Sequence, residues 1–96
     1  MADTMQELDH LQEMIDILRS DAAFRRMTAS STEQMVHLTH ERDMPILTAV
    51  LIGVAGTHRH LAQLLEEAAA VIEAELASQV KRFVDVIEEA RVNDDP

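Results

Sequence analysis

Residues 45–91 read PILTAVLIGVAGTHRHLAQLLEEAAAVIEAELASQVKRFVDVIEEAR. Within them Leu47, Leu51, Val54, His58, Leu61, Leu65, Ala68 and Ile72 recur at alternating four- and three-residue steps. Such spacing is one apolar face of a helix. Leu76, Val80, Phe83, Ile87 and Ala90 continue it. An extra four-residue step from Leu76 to Val80 reads as a stutter. Pro45 suits a first helical turn, where its missing N–H would be unpaired anyway, and it keeps Met44 out of helical geometry. Asp43 is a candidate cap for the free N–H groups there. Gly53 and Gly56 each cost roughly 1 kcal/mol against Ala in a helix, and Thr57 can cap a fresh one. The stripe nevertheless keeps its phase across both glycines. The expectation is one long helix over about 45–91, with a bend at 53–57. A break there, or a buried strand over Ile46–Ile52, are the competing readings.

Upstream, Thr4 with Glu7 forms a capping box, and Asp3 adds an acid at the positive end of the helix dipole. Leu8, Leu11, Ile15, Leu18 and Ala22 follow as one stripe, predicting a helix over about 4–27. Thr28-Ala29-Ser30-Ser31-Thr32 reads as a polar connector. Ser31 with Gln34 is a second capping box, predicting a short helix over about 32–42.

Composition agrees with this pattern. The 96 residues suffice for one domain, 1–96, and include only two Gly and two Pro. Few turn-formers mean long helices and few connections, so the fold class is all-α, a helical hairpin or bundle. Eighteen acids against eight bases give a formal charge of −10. Phosphate binding needs clustered Lys and Arg, so nucleic acid is not an expected partner. A basic protein is a better one, and residues 62–80 hold four glutamates and no Lys or Arg. The absence of cysteine excludes disulfides, thiol nucleophiles and Cys-ligated metal. No basic-then-apolar leader opens the chain, and the longest apolar stretch, Ile46 to Gly56, falls short of the ~20 residues of a membrane span. A cytoplasmic location is expected.

Lengths then suggest a partner. A first helix of roughly 35 Å covers only half of a second of roughly 70 Å. Val71, Ile72, Leu76, Val80, Phe83, Val84, Val86 and Ile87 are left without cover, and an apolar stripe of that size calls for a second chain. Homodimerisation is therefore expected, with Leu65, Ile72, Leu76, Val80, Phe83 and Ile87 as the interface. The function this implies is a protein-interaction and oligomerisation module.

The alternative is a small metal-binding bundle. Glu33, His37, His40 and Glu41 cluster at helical spacing, and Glu7 with His10 repeats the Glu-x-x-His of di-metal bundles. A transition metal ion would be the cofactor; the main reading needs none. His58 and His60 point to nearly opposite sides of a helix and cannot share an ion. His58 lies in the apolar stripe, where it either hydrogen-bonds a neighbour or meets its own mate in a dimer. Ser20, Ser30, Ser31 and Ser78 lack a nucleophile elbow, and there is no Gly-rich phosphate loop. Glu66, Glu67, Glu73 and Glu75 are the wet face of a helix, and no catalysis is expected. Met1, Met5, Met14, Met27, Met35 and Met44 all precede Pro45. Methionine adapts to irregular surfaces, so the N-terminal segment is a candidate binding part as well as ordinary core.

Overall fold

The structure, a computed structural model, describes residues 2–94. It is a hairpin of two helices, α1 (Ala2–Glu41) and α2 (Pro45–Asp94). No strand occurs among the described residues. The rod measures 82 × 17 × 13 Å, the thickness of two helices side by side.

The turn is built where the proline directs it. Asp43 takes the left-handed conformation, φ 56°, and its N–H reaches the His40 carbonyl at 3.1 Å while that of Met44 reaches Thr39 at 3.0 Å. This pair of bonds is a Schellman motif, with Asp in the place usually held by Gly. Asp43 thus closes α1 and is not the cap of α2. Met44 is that cap: its carbonyl accepts from the N–H of Thr48 at 2.9 Å and from the Thr48 hydroxyl at 2.8 Å. Pro45 is the first residue of α2.

Two expectations are corrected. Residues 28–32 are not a connector, and no separate helix begins at 32, because α1 is continuous for 40 residues. The Thr28 hydroxyl donates to the Phe24 carbonyl at 3.0 Å and that of Thr32 to Thr28 at 2.8 Å. The hydroxyls fold back on their own helix instead of capping a new one. Ala29 and Thr32 are buried against α2, so tertiary packing overrides a weak local preference. The second correction follows from the first. An α1 of 40 residues is about 60 Å long and brings Thr4 beside Phe83. The N-terminal part therefore covers most of α2, and the length mismatch shrinks to a short overhang. Likewise α2 runs unbroken across Gly53 and Gly56; the Thr57 hydroxyl donates to the Gly53 carbonyl at 2.9 Å and starts no new helix.

The packing seam differs from the stripe read in the sequence. On α1 it follows Leu8, Leu11, Ile15, Leu18, Ala22, Arg25, Ala29, Thr32, Val36 and Thr39. On α2 it follows Thr48, Leu51, Ala55, His58, Ala62, Leu65, Ala69, Ile72, Leu76, Gln79 and Phe83. Both keep three-four spacing throughout, and α2 has no stutter. Ala22, Ala29, Ala62 and Ala69 are fully buried. The Thr48 hydroxyl bonds that of Thr39 at 2.8 Å, which fixes the antiparallel register: residues whose numbers sum to 87 are level. That register sets Leu18 against Ala69, Ala22 against Leu65 and Ala29 against His58. These middle layers, with Arg25 against Ala62, each pair a large side chain with a small one, whereas Leu11 meets Leu76 and Ile15 meets Ile72 toward the open end.

Candidate interaction surfaces

The two long sides of the hairpin differ in chemistry. On one, Arg19 pairs with Glu73, Arg26 with Glu66 and Arg59 with Glu33. The last is 2.7 Å by one guanidinium nitrogen and 2.8 Å by another. The pairs step by seven residues along each helix in opposite directions, one heptad per rung. Their side chains are about half exposed, so each contributes about 0.2–1 kcal/mol, and together they fix register more than they add stability.

The opposite side is dry. α1 places there Met14, Ile17, Phe24, Met35 and Leu38, all exposed, with Met27 at its edge. α2 adds Leu47, Val50, Val54, Leu64 and Val71, also exposed, and the half-buried Leu61. Within residues 14–38 and 47–71 this flank holds one charged group, Asp21. Phe24 is 64% exposed. The exposed apolar residues here are contiguous and not scattered singly over the surface. The flank runs on to the tip of the hairpin, where a shallow apolar hollow is lined by Met44, Pro45, Ile46, Leu47 and Val50. Ile46 there is 82% exposed. A second shallow groove, of about 410 Å³, lies at the open end against Thr4, Gln79, Arg82, Phe83, Val86 and Ile87.

The residues expected at a dimer interface divide. Leu65, Ile72, Leu76 and Phe83 lie on the seam and are half-buried against α1; Val80 and Ile87 are exposed. The sequence stripe had merged two rows. Leu51, His58, Leu65 and Ile72 belong to the seam, whereas Leu47, Val54, Leu61 and Ala68 belong to the dry flank. The flank of α1 was missed altogether. Its signal was a second three-four repeat, Met14, Ile17, Phe24, Met35 and Leu38, interrupted by Asp21, Thr28 and Ser31. Of the methionines, Met5, Met14, Met27, Met35 and Met44 are all exposed, so none of these five fills the core; Met1 lies outside the described residues.

The six residues of the metal alternative are not brought together. Glu7 and His10 lie some 26 residues up a straight helix from Glu33, His37, His40 and Glu41, about 40 Å away. Glu33 is engaged by Arg59. Among the described residues no group of three or more His, Asp or Glu is placed to hold a metal ion. His58, in the seam, lies with Nδ1 3.2 Å from an Arg25 guanidinium nitrogen. The guanidinium can only donate, so Nδ1 accepts and the imidazole carries its proton on Nε2. This is the hydrogen-bonded neighbour anticipated for it. No helix among the described residues is long and apolar enough to cross a membrane.

Comparison with known proteins returned no matching family model, no similar curated protein and no similar solved structure.

Proposed function

We propose that this chain is a non-catalytic, cytoplasmic interaction module that forms a homodimer through the dry flank of its hairpin and offers its acidic end to a basic protein. The observation that carries the reading is the flank of residues 14–38 and 47–71, whose one charge is Asp21, set opposite a flank on which Arg19, Arg26 and Arg59 are paired with carboxylates. Two hairpins meeting by such flanks make a four-helix bundle, the arrangement in which both apolar faces leave water. The interface thus moves from the C-terminal seam to the flank, because α1 already occupies Leu65, Ile72, Leu76 and Phe83. Nucleic acid is not a partner of this surface, which lacks clustered cations.

Sedimentation equilibrium with light scattering tests it. The expected mass is twice 10.8 kDa. Phe24→Glu with Leu64→Glu should give a monomer whose helical circular dichroism is kept, while Gln63→Glu on the wet side should leave the dimer intact. A wild-type chain that stays monomeric at hundreds of micromolar, with cooperative unfolding, refutes the proposal.

A further inference from the structure

We infer that the second copy docks antiparallel, so that the tip halves of two hairpins form the four-helix bundle and the acidic halves project from its opposite ends as free arms. This rests on the self-association proposed above and adds its geometry.

The argument is the distribution of charge along the rod. Residues 16 and 71 are level in the register. On the tip side of that level, residues 17–70 hold six acids and five bases, a net −1 (5 − 6). On the open side, residues 3–16 and 71–93 hold ten acids and three bases, a net −7 (3 − 10). The flank changes at the same level. Toward the tip it is apolar but for Asp21, Thr28, Ser31 and Thr57; beyond Val71 its positions are Glu75, Ser78, Arg82, Asp85 and Glu89, with Glu7 and His10 on α1. The apolar rows of this flank are therefore confined to the tip half, roughly 45 Å of rod. With the 17 Å width of the hairpin, it offers on the order of 750 Å² per copy, close to the ~800 Å² that each partner of a standard stable complex buries.

Two symmetric arrangements cover that surface. With tips together, the two open ends lie alongside each other at about one interaxial spacing, ~10 Å. Two bodies of net −7 then face one another along their length, where screening over ~8 Å is incomplete. With tips opposed, the same apolar area is covered about an axis near Leu61 and Thr28. The like-charged arms are then separated by the whole bundle, several screening lengths. Apolar burial is equal in the two, and repulsion decides for the antiparallel one.

The chain lacks cysteine, so Ala77→Cys, on the exposed wet side, accepts a single spin label. In the antiparallel dimer the two labels lie about 50 Å apart, twice the rise from residue 60 to 77. With tips together they lie within about 25 Å, the width of a four-helix bundle. A dipolar distance near 50 Å is the expected result. A distance under 25 Å, on a protein of dimeric mass, overturns the orientation and leaves self-association standing. Monomeric mass with no dipolar coupling overturns both.

Discussion

Ala62→Leu is the substitution that most sharply separates the observed seam from the stripe first legible in the chain. Ala62 has no exposed surface. In the register set by Thr39 and Thr48 it is level with Arg25, with the large side chains of His58 and Leu65 in the adjacent layers. Leucine adds three carbons at a point where the seam is closed. If space were open, those carbons would stabilise the fold by about 2.4 kcal/mol, at ~0.8 kcal/mol each. In a filled seam they force the helices apart or push neighbours off their rotamers, at a cost of about 1–3 kcal/mol. The two cases differ in sign, which makes the measurement decisive. For a chain of this size 1 kcal/mol moves Tm by about 4–8 °C, so a fall of roughly 5–20 °C is expected in thermal unfolding followed by circular dichroism. Protein concentration must be matched, because association shifts Tm. Ala70→Leu makes the same chemical change on the exposed side and should stay within about 0.5 kcal/mol of the parent. An Ala62→Leu variant as stable as the parent, or more so, would show that position 62 does not face α1.

Other substitutions address other links of the argument. Ser31→Pro, in the exposed middle of α1, should cost about 3 kcal/mol and lower the urea midpoint; tolerance of the proline would mean that the helix does break there. Gly53→Ala and Gly56→Ala place a methyl that meets nothing within 4 Å beyond the local turn of its own helix, so each should stabilise by about 0.5–1 kcal/mol with an unchanged urea m-value; a loss at either site would reveal a kink or close approach. Arg26→Glu sets a carboxylate opposite Glu66 and should lose up to about 1 kcal/mol, regained when Glu66→Arg is added; an additive double variant would deny the pairing.

The all-helical class, the position of the turn and the start of α2 were legible because single residues decide them. Pro45 cannot sit in the interior of a helix, and Met44 before it cannot join one. The continuity of α1 was not legible. Thr28, Ser30, Ser31 and Thr32 look like a connector on local preference alone, and only the cover given by α2 makes Ala29 and Thr32 core residues. The seam was misread for a related reason. Ala55, Ala62 and Ala69 bury little area each, and a reading by apolar bulk passes over them to Leu47, Val54 and Leu61. Their value is proximity, which exists only once a second helix is present. The apparent stutter at Leu76–Val80 was the point at which that reading crossed from one row of α2 to another. Glu7 and His10 lie far along α1 from Glu33, His37, His40 and Glu41: a motif read by spacing along one helix says nothing of what stands across from it.

The uneven charge of the rod follows from the same pairing. Five cations lie between residues 17 and 70, and Arg19, Arg26 and Arg59 each meet a carboxylate across the hairpin. Six acids against five bases leave the tip half near neutrality; Arg26–Glu66 and Arg59–Glu33 lie within it and Arg19–Glu73 at its boundary, on the flank turned away from its exposed apolar rows. In the open half Lys81, Arg82 and Arg91 are outnumbered by ten acids, and the apolar rows of the flank stop. On this flank the apolar rows and the excess of acids thus occupy different lengths of the rod, whereas ordinary amphipathic helices separate the two around their circumference. A hairpin built only to be soluble would spread its acids evenly. Under the proposed function, a neutral segment with a dry flank abutting a strongly acidic one would hold apart two tasks that interfere with each other, close apolar contact and long-range attraction of a cationic partner.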